Sequence, residues 1–145
     1  MYLTRQADYT MRLLIHLAVQ PGETATIKEV ADRYGISRNH LMKVANRAVQ
    51  AGYVSGVRGR VGGLRVAKPA AQIGVGEVLR ATEEWNMVEC FDVETNRCPI
   101  TSACGLRAAL KEAIEAYFTV LDRYTLADVV RRRGLLVQLL DLKTA

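Results

Sequence analysis

No stretch of this 145-residue chain approaches the ~18 consecutive apolar residues that a membrane-spanning helix needs, so no membrane partner is expected. The opening Met1-Tyr2-Leu3-Thr4-Arg5-Gln6-Ala7-Asp8 lacks the apolar core and cleavage site of a secretory signal, and a cytoplasmic location is expected. Cysteine is scarce and odd in number: Cys90, Cys98 and Cys104 are the only three. That excludes a complete internal disulfide framework and leaves ligands, redox-active thiols or buried thiols. Histidine occurs twice, as His16 and His40, and neither lies near the cysteines. Internal repeats and low-complexity tracts are missing. There is no nucleophile–base pair, phosphate-binding glycine loop or carboxylate pair in a plausible pocket; the adjacent Glu83-Glu84 reads as a solvated pair. No enzyme activity and no small-molecule substrate are therefore expected.

What remains is one domain's worth of ordinary globular sequence, 50% hydrophobic and 24% charged, with a formal net charge of +5. The charge is unevenly placed. Residues 1–80 hold twelve Lys/Arg against five Asp/Glu, whereas residues 81–145 hold eight against ten. Glu83, Glu84, Glu89, Asp92 and Glu94 crowd into a stretch with no Lys or Arg. A basic N-terminal part points to a polyanionic partner or to a merely solvated face, and only motifs can separate the two.

The periodicity predicts a mainly α chain with a small β-hairpin. Asp8 to about Gln20 is a predicted helix, with Met11, Leu14, Ile15 and Ala18 on one face and Pro21-Gly22 stopping it. Thr26-Ile27-Lys28-Glu29 forms a capping box for a second helix ending at Gly35. Ser37 caps a third, Arg38 to Ala51, whose apolar face is Leu41, Val44, Ala45, Ala48 and Val49, with Gly52 as its left-handed terminus. Two helices joined by a tight glycine turn are a helix-turn-helix. Tyr53–Val57 and Leu64–Ala67 are predicted strands joined by Arg58-Gly59-Arg60-Val61-Gly62-Gly63, so a hairpin follows and the unit is a winged helix. Ile73 to Ala81 is a further short helix, and residues 82–104 lack clear periodicity. Leu106 to Leu121 is strongly amphipathic, with Leu106, Leu110, Ala113, Ile114, Tyr117, Val120 and Leu121 at spacings of three and four. Thr125 caps a last short helix, and residues 134–145 are expected to be a loose tail.

In a helix-turn-helix the first residues of the second helix touch base edges. Here these are Ser37, Arg38, Asn39 and His40, with Lys43 one turn on. Arg pairs bidentately with guanine and Asn with adenine, while Ser37 and the helix N-terminus suit a phosphate. Arg58, Arg60 and Arg65 on the wing suit the minor groove or the flanking phosphates. Basic residues at both surfaces that face DNA in this architecture make double-stranded DNA the expected partner.

The cysteines are separated by seven and then five residues, without the short Cys-x2–4-Cys step of a structural zinc site or a redox CxxC. Three thiols on a patternless segment suit an iron–sulfur cluster, whose spacings vary, and a fourth ligand must then come from elsewhere. They equally suit three separate buried thiols. Spacing leaves both readings open.

The whole pattern resembles the iron–sulfur winged-helix repressor family of IscR, NsrR and RirA, from Leu3 to about Val130. The residues that carry the resemblance are Leu3-Thr4, Asp8-Tyr9, Tyr34 to His40, Val57 to Gly63, Glu89-Cys90-Phe91, Cys98-Pro99-Ile100, Cys104-Gly105-Leu106 and Tyr124 to Asp128. It implies a winged helix over residues 1–81, a cluster-binding loop over 82–104, and a long dimerisation helix with a tail over 105–145. It implies a homodimeric, cluster-dependent repressor, with Cys90, Cys98 and Cys104 binding a [4Fe–4S] cluster or, alternatively, [2Fe–2S]. In the nitric-oxide-sensing branch an N-terminal aspartate of the partner chain completes the site, and Asp8 occupies that position. The IscR-type branch uses a histidine three residues after the last cysteine, where this chain has Arg107. Ser37 to His40 and Tyr124 to Asp128 look like the nitric-oxide branch. The first cysteine gap, the Leu3-Thr4-Arg5-Gln6 start and the later cysteine motifs look like the iron-responsive branch. Nitric-oxide sensing is the favoured expectation; iron sensing through the same cluster and a cluster-free thiol-redox regulator are the alternatives.

Overall fold

Thr4 starts the first helix, a cap that apolar spacing does not reveal: its Oγ1 accepts a hydrogen bond from Ala7 N at 3.2 Å. Helix α1 spans Arg5–Val19, about a turn earlier at its start than predicted. The computed structural model describes residues 3–20, 24–59, 62–83 and 85–142. The expected stop at Pro21-Gly22 and the tip residues Arg60 and Val61 of the hairpin lie outside them, as does Glu84.

Helix α2 spans Ile27–Tyr34 and carries the predicted capping box: Thr26 Oγ1 accepts from Glu29 N, and Glu29 Oε2 accepts from Thr26 N at 2.6 Å. It ends at Gly35 with φ +63°, a left-handed conformation that favours glycine. Helix α3, Arg38–Gln50, buries Leu41, Val44, Ala45 and Ala48. Val49, predicted on that face, is exposed instead. It lies roughly 90° around the helix from the centre of the stripe, at 3.6 residues per turn.

Strands β1 (Val54–Val57) and β2 (Gly63–Val66) pair antiparallel, with Val54 opposite Val66 and Val57 opposite Gly63. Ala25 adds a bridge to Leu64 through two backbone hydrogen bonds of 2.9 and 2.8 Å, tying the wing to the entry of α2. Gly63 permits that approach, since a Cβ there would meet Ala25 O at 2.9 Å. Leu13, Leu14, Val30, Leu41, Val44 and Val54 fill the core between these elements.

After a 3-10 turn at Ala70–Gln72, helix α4 spans Val75–Thr82. Residues 82–104 hold one further 3-10 turn at Glu89–Phe91 among the described residues. Helix α5 spans Gly105–Leu121, and Phe118 is its only buried residue. Phe118 packs edge-on to Trp85 at 4.7 Å and joins Ala7, Val75 and Leu79 in a second small core. The predicted stripe differs here in two ways: it omits Phe118, and it includes Leu106 and Val120, which are 63% and 49% exposed in the single chain. Helix α6, Leu126–Val129, has a capping box of Thr125 and Asp128 and docks Leu126 beside Ile73. The expected loose tail is corrected: Arg133–Leu139 form helix α7. It is held to the winged helix by Arg33–Asp141 at 2.9 Å and by Arg133 Nη2 donating to Gln20 O. Local sequence could not show this, because both anchors lie more than a hundred residues away. Among the described residues, no helix is long and apolar enough to cross a membrane.

Candidate functional site

Ser37 fixes the start of α3, its Oγ accepting from His40 N at 3.1 Å. Arg38, Asn39 and Lys43 then project into solvent, while His40 is half-buried with its ring edge-on to Tyr9 at 5.0 Å. Arg38 lies 3.6 Å from Asp32, an exposed pair worth little against a phosphate or base. Lys28, and less strongly Arg38, hold the Asp32 carboxyl below the usual carboxylate range. On the wing, Arg58 is exposed, and Arg65 is exposed with its Nε donating to Ser55 Oγ across the strand pair. Arg60 lies outside the described residues. The basic side chains that are described thus face solvent on both elements, Arg38 beside Asp32 and Arg65 beside Ser55, and the local cause is plain: a serine cap starts one element and the β1–β2 register sets the other.

Asp8 sits in the first turn of α1, where a carboxylate is favoured. Two hydrogen-bond contacts hold it to Arg12: Arg12 Nε donates to Asp8 Oδ1 at 3.0 Å, and Nη2 lies 2.9 Å from Oδ2. Arg12 also lies over the rings of Tyr9 and Tyr34, 5.8 and 5.9 Å from their centroids. Asp8 raises the affinity of the Arg12 guanidinium for its proton. Sequence reading missed this group. The Asp8–Arg12 spacing of four was a usable signal, whereas Tyr34 reaches it only through the fold.

The three cysteines are free and each half-buried. Hydrogen bonds fold their segment onto the start of α5. Glu89 Oε1 accepts from Arg97 N at 2.6 Å, and Arg107 Nε donates to the carbonyl of Cys90 at 3.2 Å. Cys98 begins a tight turn, with Thr101 Oγ1 donating to its carbonyl at 2.8 Å, and Cys104 directly precedes α5. Beside this segment lies a cavity of about 750 Å³ whose lining includes Trp85, Phe91, Cys104, Arg107 and Ile114. Among the described residues, no three His, Cys, Asp or Glu side chains converge closely enough to hold one metal ion. The chain alone therefore gathers the thiols on one loop without uniting them with Asp8 in a single-ion site. As a donor set, three free thiols on one hydrogen-bonded segment match the ligand chemistry of an iron–sulfur cluster, which takes cysteine thiolates at variable spacings.

Comparison with known proteins agrees with this architecture. Residues 3–132 match the Rrf2 family model, described as "Iron-dependent Transcriptional regulator". The chain is 49% identical to the HTH-type transcriptional regulator NsrR of Bacillus subtilis (strain 168), over 99% of each chain. It is 46% identical to the regulator of the same name from Bacillus licheniformis, covering 97% of this chain and all of that one. Among solved structures, T. potens IscR superposes with a TM-score of 0.73 at 24% identity, covering 91% of this chain and 88% of that one. The oxidized form of Staphylococcus aureus CymR gives 0.68 at 25% identity, covering 89% and 95%.

Proposed function

The chain belongs to the Rrf2 family of transcriptional regulators, not to an enzyme family, and from that premise we propose that it is a homodimeric, DNA-binding repressor controlled by an iron–sulfur cluster and responsive to nitric oxide. The observation that carries DNA binding is the joint exposure of Arg38, Asn39 and Lys43 on α3 and of Arg58 and Arg65 on the wing. Ser37 and His40 frame the first turn of α3, and Arg60 extends the basic run of the wing in sequence. A two-fold dimer places two such winged helices on half-sites about one helical turn apart, or a multiple of it. The exposed apolar residues of α5, Leu106 and Val120 among them, supply the face for a second copy.

Cys90, Cys98 and Cys104 are the residues that would hold the cluster, with Asp8 from across the dimer as its fourth ligand. When bound, a [4Fe–4S] cluster supplies iron that reacts with nitric oxide. The chain's own residues supply the coupling. Arg12 neutralises Asp8 and lies against Tyr9 and Tyr34, and Tyr9 abuts His40 at the start of α3. A change in the partner of Asp8 therefore alters the charge balance at Arg12, one packed ring away from the recognition helix. This contact chain supports coupling between the two sites, and the size of that coupling is the change in DNA affinity that the state of the cluster produces.

The test is binding of anaerobically purified protein to a duplex selected from random sequence, measured by fluorescence anisotropy with and without nitric oxide. Affinity is expected to fall on exposure to nitric oxide. In Asp8→Ala the response should shrink more than the iron content does. Loss of affinity on iron chelation but not with nitric oxide supports the iron-responsive alternative. A response to thiol oxidation alone, with no bound iron, supports the cluster-free regulator.

A further inference from the structure

A second pocket, of about 290 Å³, lies between α1, α2 and the end of α7 and is lined by His16, Gln20, Glu29, Arg33, Asp141 and Leu142. None of these residues belongs to the DNA-facing set or the cysteine segment. His16 is fully buried, yet among the described residues neither Nδ1 nor Nε2 makes a well-aligned hydrogen bond, and the buried Oε1 of Gln20 makes none either, although the two side chains lie within reach of each other. Buried polar atoms without partners are costly, and their needs define an occupant. A neutral imidazole needs one donor and one acceptor, and the amide oxygen needs a donor. Glu29 adds negative charge on the same wall.

Arg33 stands at the mouth. Its Nη1 donates to Asp141 Oδ2 at 2.9 Å and its Nη2 to Asp141 O at 2.8 Å. The chain's own tail thus already sets a carboxylate on this guanidinium. That carboxylate is loosely held. The Asp141 side chain is 84% exposed, so the ion pair is weak, and Asp141 is the one non-glycine residue with positive φ (+48°) among those described.

We propose that this pocket binds a small zwitterionic amino acid: its ammonium is held by Gln20 Oε1, Glu29 and the acceptor nitrogen of His16, and its carboxylate displaces Asp141 from Arg33. A lone anion would lie against the Glu29 carboxylate and leave Gln20 Oε1 without a donor, and a lone cation would lie against the Arg33 guanidinium. The volume lies at the lower end of ligand pockets, which suits a small amino acid rather than a drug-sized molecule.

The experiment uses the full chain with 15N-labelled histidine, titrated at constant pH with glycine, L-alanine and L-serine while the ring nitrogens of His16 are followed by NMR; His40 serves as the internal control. Saturable shifts confined to His16 are expected with these three, but not with acetate, methylammonium or L-tryptophan. Arg33→Gln should weaken binding about tenfold through loss of a charge-assisted pair. Asp141→Asn should tighten it about threefold, because an exposed competing ion pair is removed. A fold-preserving role for these residues does not produce that gain. An unmoved His16 signal with all three amino acids, an equal response to acetate or methylammonium alone, or unchanged affinity in Asp141→Asn overturns the proposal.

Discussion

Arg38 is the exposed first residue of α3, and its ion-pair partner among the described residues is an exposed carboxylate 3.6 Å away. Binding DNA therefore takes little from the fold at this position. Arg38→Ala is expected to cost about 1–3 kcal/mol and to relax base preference at one position of the half-site. Anisotropy titrations over single-base variants of the duplex check this; a uniform loss on all sequences reduces Arg38 to a phosphate contact. His16 behaves differently because it is inside. Burial holds its imidazole below the ordinary histidine range. The folded state therefore prefers the neutral ring, while the unfolded chain takes up a proton below about pH 6.5. This contribution to stability is complete above that pH and is lost progressively as pH falls below it, through the lower value of the folded state. Urea unfolding at neutral and mildly acidic pH should show the decline, and His16→Gln should flatten it.

Gly76 leaves room for a pair that ties α4 to the end of α5. A Cβ there would collide with Asp122 Oδ1, which takes part in a two-pronged pair with Arg80 at 2.6 and 2.7 Å. Gly76→Ala displaces the Asp122 side chain from Arg80. Because that pair is exposed, the expected cost of the substitution is no more than about 1 kcal/mol. Thermal unfolding checks this, with a surface change such as Glu112→Ala as the reference. Elements whose signals are local were legible in the sequence: the Thr26–Glu29 capping box, the Ser37 cap, the left-handed Gly35 and Gly52, and the hairpin. Elements fixed by distant partners were not. Phe118 is buried because Trp85 and Leu79 meet it, whereas the amphipathic stripe of α5 runs onto surface left open in the single chain. Helix α7 looked like a tail because Arg33 and Gln20, which anchor it, lie at the other end of the sequence.

Over the whole molecule the charge asymmetry and the architecture coincide. The basic half is the winged helix, and the acidic stretch around the cysteines follows it. The solvent exposure of Arg38, Asn39, Lys43, Arg58 and Arg65, the positions proposed to face DNA, follows from the helix-turn-helix and hairpin that the sequence predicts. The proposed cluster ligands stand out in the sequence only as residue types, since the three cysteines lie on one loop and Asp8 on the first helix, and the union proposed for them requires two chains. Cluster-dependent repression stands or falls on one measurement: iron and acid-labile sulfide per chain in protein purified strictly without oxygen. About four of each per chain are expected for a [4Fe–4S] cluster, falling sharply when any one of Cys90, Cys98 and Cys104 is replaced by alanine. No iron on a chain whose three thiols remain intact contradicts it.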